Sequence, residues 1–385
     1  MEPVSDSKVN ILDMSPSEFM EFMRSLGQPA FRARQVLGWV YDSFVFDFDR
    51  MTNLPQGLQT ALAEKCYVGT GKLLAESKAA DGMTTKVLLG LRDGQTVETV
   101  LMRYNATDDG AGRRSVCVSS QVGCAIGCPF CATGQSGFVR NLSAGEIVGQ
   151  VLYFARVLAE EGQERPITNV VFMGQGEPLL NLAEVRRAVE IMNSAEAVCL
   201  GARHITISTA GIVPGIKAVA QWSLQVGLAV SLHAPNDRLR DQLVPVNRRY
   251  PLAELLPACR DYTKATGRRL TFEYALIAGV NDSAADAREL ASRLRGLLCH
   301  VNLIPLNPVD ASGLAPTPRR QVLVFQNELL ARGIPCTVRV ERGTEIDAAC
   351  GQLRRRSQSG RPAGKRAKNG LETKGAVRSS RVRPR

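Results

Sequence analysis

From Ser115 to about Arg342 the chain alternates between short apolar runs and longer segments of helical period, and this alternation limits its fold more than anything else. The runs that read as strands are Ser115–Ser120, Thr168–Met173, His204–Ser208, Gly227–Leu232, Leu270–Leu276 and Val301–Leu306. Amphipathic helices fall between them, most clearly at 143–160, 181–193, 251–265, 284–297 and 318–332. Six βα units in a row require a parallel sheet with covered faces, because each crossover lays a helix on the sheet. A doubly wound sheet and a partial (open) β/α barrel both satisfy that pattern. Polar clusters close almost every strand at its C-terminal end, where barrel sites are built, and they favour the α/β fold of the open barrel.

Two smaller regions precede the barrel. Residues 1–66 read as a helical accessory domain. Ser15 and Glu18 make a capping box, in which each side chain satisfies the other's orphan backbone donor. Phe19, Phe22 and Met23 follow at helical spacing, and a second helix is expected over Phe31–Ser43. Residues 67–114 switch to a period of two, with Thr85–Leu91 and Gln95–Met102 flanking Asp93-Gly94, a hairpin signal. Ser143 with Glu146 repeats the capping box at the head of a barrel helix.

Charge separates the barrel region, 115–353, from a tail, 354–385. The chain carries a net charge of +11, and the tail holds all of it, with twelve Lys or Arg against Glu372 alone. Rich in Gly, Ser and Pro and without apolar period, the tail is expected to be disordered and to bind polyanions through counterion release. A plain solubilising role is the alternative. Aromatic residues are only 5% of the chain, which argues against an RNA reader that stacks bases on a sheet. No apolar run approaches ~18 residues, so no membrane span is expected. The polar, acidic start, Met1–Lys8, does not read as a secretory signal, and a cytoplasmic protein is expected.

Ten cysteines without a signal segment do not suggest a disulfide framework. Three of them, Cys124, Cys128 and Cys131, are spaced C-x3-C-x2-C just after the first barrel strand. Zinc in a closed site takes four ligands, and no fourth Cys or His lies close by. Three thiolates on an iron–sulfur cluster would leave one iron open to a ligand. Three buried thiols and a zinc site are the competing readings.

The spacing resembles the radical S-adenosylmethionine superfamily. The surrounding residues narrow the resemblance: Cys117-Val-Ser-Ser-Gln-Val-Gly-Cys124, Cys131-Ala-Thr-Gly, Phe138-Val-Arg-Asn-Leu142, Met173-Gly-Gln-Gly-Glu-Pro-Leu-Leu-Asn181, Ser208-Thr-Ala-Gly211, Val230-Ser-Leu-His-Ala-Pro235, Ile304-Pro-Leu-Asn-Pro308 and Asp347-Ala-Ala-Cys-Gly351. Over about residues 15–353 the chain is similar to the bacterial adenine-C2 methyltransferases of 23S rRNA and tRNA. The resemblance implies a 4Fe–4S cluster on Cys124, Cys128 and Cys131. It implies S-adenosylmethionine held by Gly176, Glu177, Ser208, Ser231, Leu232, His233 and Asn307. It makes Cys350 the cysteine that carries the methyl group and Cys117 its partner thiol. Adenine C2 is electron-poor and cannot attack a sulfonium methyl group, so a radical route through methylated Cys350 is implied, with two S-adenosylmethionine molecules per turnover. Cys117 would then release the product by attacking Cys350, as in thiol exchange.

Glu98 aligns with the family's proton acceptor, with Cys117 as its rival. Taken alone, Glu98 on a strand edge would be expected in solvent. A sister activity on adenine C8 shares the cysteine set. An electron donor such as flavodoxin or ferredoxin is implied, and a monomer is expected. Gln175 stands where many relatives carry Met.

Overall fold

The computed structural model describes residues 8–106, 112–163, 166–306 and 313–339. Asn307, Cys350 and the basic tail lie outside the described residues. The N-terminal region forms helices α1 (Pro16–Ser25), α2 (Ala30–Tyr41) and α3 (Gln56–Lys65). The expected capping box heads α1: Ser15 Oγ accepts from the Glu18 amide, and the Glu18 carboxylate accepts from the Ser15 amide. Phe19, Met23, Val36, Val40 and Leu62 are wholly buried and make this unit's share of the core. Parallel pairing of Val9–Asn10 with Cys66–Tyr67 ties its two ends together.

Ten strands among the described residues form one sheet. They are β1 (Lys72–Lys78), β2 (Thr84–Gly90), β3 (Thr96–Tyr104), β4 (Arg113–Cys117), β5 (Asn169–Phe172), β6 (Ile205–Thr209), β7 (Gly227–Ser231), β8 (Leu270–Leu276), β9 (Cys299–Pro305) and β10 (Cys336–Val338). Strand order runs from β10 to β1 without interruption. Strands β4 to β10 pair in parallel, whereas β1 to β4 pair antiparallel. The helices that follow are α4 (Ala144–Glu160), α5 (Leu182–Asn193), α6 (Val213–Val219), α7 (Asp237–Leu243), α8 (Leu252–Thr266), α9 (Ala284–Leu294) and α10 (Arg319–Leu330). Ser143 and Glu146 cap α4 as expected, and Ser283 with Asp286 does the same for α9.

The partial barrel is thus present, with two additions. A seventh parallel strand, β10, extends it. The expected hairpin is part of the barrel's own sheet rather than a separate element, because β3 pairs directly with β4. No helix among the described residues is long and apolar enough to cross a membrane. The N-terminal unit docks at the heads of α4 and α5: Gly145 N donates to the Asp13 carboxylate, and Arg187 Nε donates to the Asp13 carbonyl.

Candidate active site

Alternation along each strand sorts the side chains onto two faces. Val97, Leu101, Val116, Val118, Val170, Phe172, Ile205, Ile207, Leu228, Val230, Phe272 and Leu303 all join the core cluster. The residues between them therefore point to the other, concave face. There stand Lys86, Glu98, Cys117, Ser208, Ser231, Glu273 and Asn302. Beyond β10, Arg339 reaches Met102 on β3 (Nη2 to Sδ 3.9 Å), so the far strands face each other across the lumen. A cavity of about 310 Å³ opens at the C-terminal strand ends, within the range of small-molecule sites. It is lined by Gly174, Gly176, Glu177, Ser208, Ser231, His233 and Glu273, and by the three clustered cysteines.

The cysteines roof this cavity on the loop after β4. The Cys124 amide donates to the Gly137 carbonyl (2.8 Å) and the Cys131 amide to the Cys128 carbonyl (3.1 Å), which folds the loop back on itself. Gly134 follows from that fold, since a Cβ there would stand 2.9 Å from the Cys128 amide. Burial pushes the Cys124 thiol up to about 12 and also raises Cys128, which the two neighbouring thiols raise further. Only a cationic group bound among them would draw out the thiolates that ligate metal. Among the described residues no three His, Cys, Asp or Glu side chains close on one metal-sized point. The donor set, three thiols facing one cavity, fits a cluster that takes one thiolate per iron.

The cofactor residues sit below that roof. Gly176 has φ +102°, and a Cβ there would lie 2.5 Å from the Gln121 Cβ, so only glycine closes this turn. The Glu177 carboxylate accepts from the Leu179 amide (3.0 Å) and the Ala210 amide (2.6 Å), and burial raises its pKa to about 7. It ties the turn after β5 to the end of β6 while facing the cavity. The Ser208 and Ser231 hydroxyls have no hydrogen-bond partner among the described residues, which leaves them available to a ligand.

His233 has a positive φ of 58°, and its Nδ1 accepts from the Ala275 amide (2.9 Å). Its ring meets Phe130 edge-on at 4.9 Å. Burial lowers its pKa to about 3, so the ring is neutral and carries its proton on Nε2. Leu232 differs from its neighbours. Its side chain belongs to the core, its amide donates to the Glu273 carbonyl, and its carbonyl accepts from Arg240, so it supports the cavity wall from behind.

Glu98 corrects an expectation. It is 3% exposed and pairs with the equally buried Lys86 (Oε2 to Nζ 3.1 Å), because β3 is flanked on both sides and is not an edge. Cys117 ends β4 on the same face, in register with Val100 of β3 and Val171 of β5. Neither residue lines the cavity itself. Gln175 is 1% exposed with both amide atoms unpartnered among the described residues, a setting in which a Met would fit as well.

Four polar residues were not foreseen: Lys86, Arg240, Glu273 and Arg339. Glu273 faces the cavity beside Ser231, accepts from Asn302 Nδ2 (2.9 Å), and has its pKa raised by burial. The only signal available was a charge inside an apolar strand, as in Thr271-Phe272-Glu273-Tyr274.

Known proteins resemble this chain in sequence and fold over most of its length. Residues 9–68 match the model of the ribosomal RNA large subunit methyltransferase N-terminal domain, and residues 118–291 match that of the radical SAM superfamily. A protein of Desulforamulus reducens described as "Probable dual-specificity RNA methyltransferase RlmN" is 47% identical over 92% of this chain and 98% of its own. The ribosomal RNA large subunit methyltransferase N of Nitrosopumilus maritimus is 49% identical over 88% of this chain and 96% of its own. The crystal structure of a radical SAM methyltransferase from Sphaerobacter thermophilus superposes with a TM-score of 0.85 at 50% identity, covering 89% of this chain and 98% of that one. With that coverage, and with three cysteines roofing a cavity at the strand ends, the chain belongs to the RlmN family of radical S-adenosylmethionine RNA methyltransferases.

Proposed function

We propose that the chain methylates carbon 2 of an adenine in 23S rRNA, and of an adenine in tRNA, through a methyl group carried by Cys350. The observation that carries this reading is the placement of Cys124, Cys128 and Cys131 over a cavity whose open hydroxyls and turn, Ser208, Ser231 and Gly176–Glu177, suit S-adenosylmethionine. Cys124, Cys128 and Cys131 would hold a 4Fe–4S cluster, which would supply the electron for reductive cleavage of S-adenosylmethionine. The remaining roles fall to the chain's own residues.

Gly176 and Glu177 receive the amino end of the cofactor, where a carboxylate suits an ammonium group. Ser208, Ser231 and neutral His233, with Asn307 from outside the described residues, orient its remaining parts. Cys350 presents the methyl group to the base. Glu98, held in place by Lys86, takes the C2 proton, with Cys117 as the alternative base. The Cys117 thiolate then attacks the Cys350 sulfur. By then the Cys350-borne carbon has bonded to C2 and the adduct has given up one electron along with the C2 proton; a disulfide forms, the carbon–sulfur bond breaks, and the freed carbon takes up a proton to become the methyl group. The target adenine has to leave its stack to enter the lumen. The 1–66 unit and the 354–385 tail hold the surrounding RNA. The protein works as a cytoplasmic monomer and draws electrons from a flavodoxin- or ferredoxin-like donor.

Nucleoside mass spectrometry of a large-subunit RNA fragment tests this, after anaerobic incubation with the reconstituted protein, S-adenosylmethionine and a reductant. The expected product is 2-methyladenosine. Appearance of 8-methyladenosine would assign the sister activity instead, and the absence of both would overturn the reading. Cys117→Ala should trap protein covalently on RNA, whereas normal product release from it would remove Cys117 from its resolving role.

A further inference from the structure

The structure assigns Arg240 as the positioning residue of the cofactor cavity, a role that rests on the reading of Ser208 and Ser231 given above. Its segment, Asp237-Arg-Leu-Arg-Asp-Gln-Leu243, is so charged that it would pass for a solvated helix. Yet Arg240 is wholly buried, on the inner side of α7. The guanidinium spends four N–H groups on four acceptors. Nε donates to the Leu232 carbonyl (3.1 Å), Nη2 to the carbonyls of Ala210 (2.6 Å) and Ser231 (3.1 Å), and Nη1 to Asn247 Oδ1 (2.7 Å). Asn247 passes the contact on to Asp237 and Asp241 through its own amide, at 2.9 and 2.7 Å.

Three of these acceptors are the backbone just beyond β6 and at the end of β7, next to Ser208, Ser231 and His233. The chain of bonds continues from Ala210, whose amide donates to Glu177, into the turn after β5. A single planar fork thus sets the spacing of three consecutive strand ends that face the cofactor. Among the described residues no carboxylate is hydrogen-bonded to the guanidinium; Asp237 and Asp241 act on it by charge and through Asn247. It remains a buried cation held by carbonyl dipoles. A lysine in its place could keep the charge, but its single ammonium has no planar fork to serve strand ends β6 and β7 together.

The experiment compares Arg240→Lys, Arg240→Met, Asn247→Ala and the double variant Ser208→Ala/Ser231→Ala in reconstituted holoenzyme. It reads iron and sulfide content, equilibrium affinity for S-adenosylmethionine, and the split of KM against kcat. Arg240→Lys should keep full iron content and a near-normal kcat at saturation, while KM and Kd for S-adenosylmethionine rise on the order of tenfold or more. Asn247→Ala, which frees one arm of the fork and keeps its charge, should raise Kd by a smaller factor in the same direction. A uniform loss of fold in Arg240→Met leaves the decision with these two milder variants. Wild-type affinity in both Arg240→Lys and Asn247→Ala, with affinity lost in the serine double variant, would overturn the role of Arg240 alone. Wild-type affinity in the serine double variant as well would overturn the reading of the cavity.

Discussion

The two walls of the lumen treat a buried cation in opposite ways. On the antiparallel wall, Lys86 of β2 lies against Glu98 of β3, charge on charge, with both side chains almost fully out of water. On the parallel wall, Arg240 lies among carbonyl oxygens and an amide, with no carboxylate hydrogen-bonded to it among the described residues. In the first arrangement the two charges offset each other. The second spreads its charge over carbonyl dipoles and, through Asn247, toward Asp237 and Asp241. The antiparallel wall therefore stores a paired acid, and the parallel wall presents hydroxyls and turns to something that arrives from outside. Breaking each device should have different consequences.

The largest effect is expected at the ion pair. Lys86→Met takes the ammonium away from the buried Glu98 carboxylate, and losing one partner of a buried pair costs about 3–5 kcal/mol. Lys86→Met combined with Glu98→Leu removes both charges and should recover most of that loss, because the desolvation penalty goes with them. Denaturant unfolding of the two variants measures the contrast. A double variant as unstable as the single one would mean that Lys86 stabilises by packing rather than by pairing. The double variant should also be unable to remove the C2 proton if Glu98 is the base, while Cys117 in that role would leave turnover intact.

This pair also marks where sequence reading stops. Strand β8 was legible to the residue, Leu270–Leu276, since it is mostly apolar and starts directly after Arg268 and Arg269. The capping boxes at Ser15 and Ser143 were legible because they are local, and the grouping of the three cysteines at one cavity because they lie close in sequence. Strand β10 was missed: Cys336–Val338 is three residues long and only its first is buried, so no period could show. Lys86 and Arg240 were missed for a different reason. A charge inside a strand or a short helix reads as solvent-facing until its partner is known. Here the partners lie on a neighbouring strand and at two remote strand ends. Leu232 came from the resemblance alone, and no property of the residue in the sequence tells that its side chain joins the core.

An intermediate effect is expected at His233, which belongs to the parallel wall and is neutral because it is buried. Its pKa in the folded state, about 3, lies below the ordinary 6.5 of an unfolded chain. Its contribution is therefore complete above pH 6.5 and is lost as pH falls, because the unfolded chain takes up the proton first. Between pH 7 and 5 this one ring should cost about 2 kcal/mol. Glu177 works with the opposite sign: raised to about 7 from 4.5, it adds stability as pH falls through the same window. His233→Asn keeps an acceptor for the Ala275 amide and tolerates positive φ. It should remove only the histidine's share, so that the variant gains on the wild type by about 2 kcal/mol at pH 5 relative to pH 7. Equal pH dependence in the two proteins would mean that the ring is already charged or reached by water.

The smallest effect separates the walls most finely. Ser208→Ala deletes a hydroxyl that has no partner within the described protein, so it should leave unfolding stability within about 0.5 kcal/mol. The same change removes a hydrogen bond that the cofactor would make, and a neutral bond of that kind is worth about 0.5–1.5 kcal/mol, a few-fold in Kd for S-adenosylmethionine. A polar group on the antiparallel wall should behave the other way round. Thr99 Oγ1 is buried and donates to the Cys117 carbonyl at 2.9 Å, so Thr99→Val should lower stability by about 1 kcal/mol while cofactor affinity holds. Paired measurements of unfolding and cofactor binding on these two variants set one wall against the other. If Ser208→Ala lost stability and kept its affinity, the hydroxyl would be serving the fold, and the parallel wall would be as self-contained as the antiparallel one.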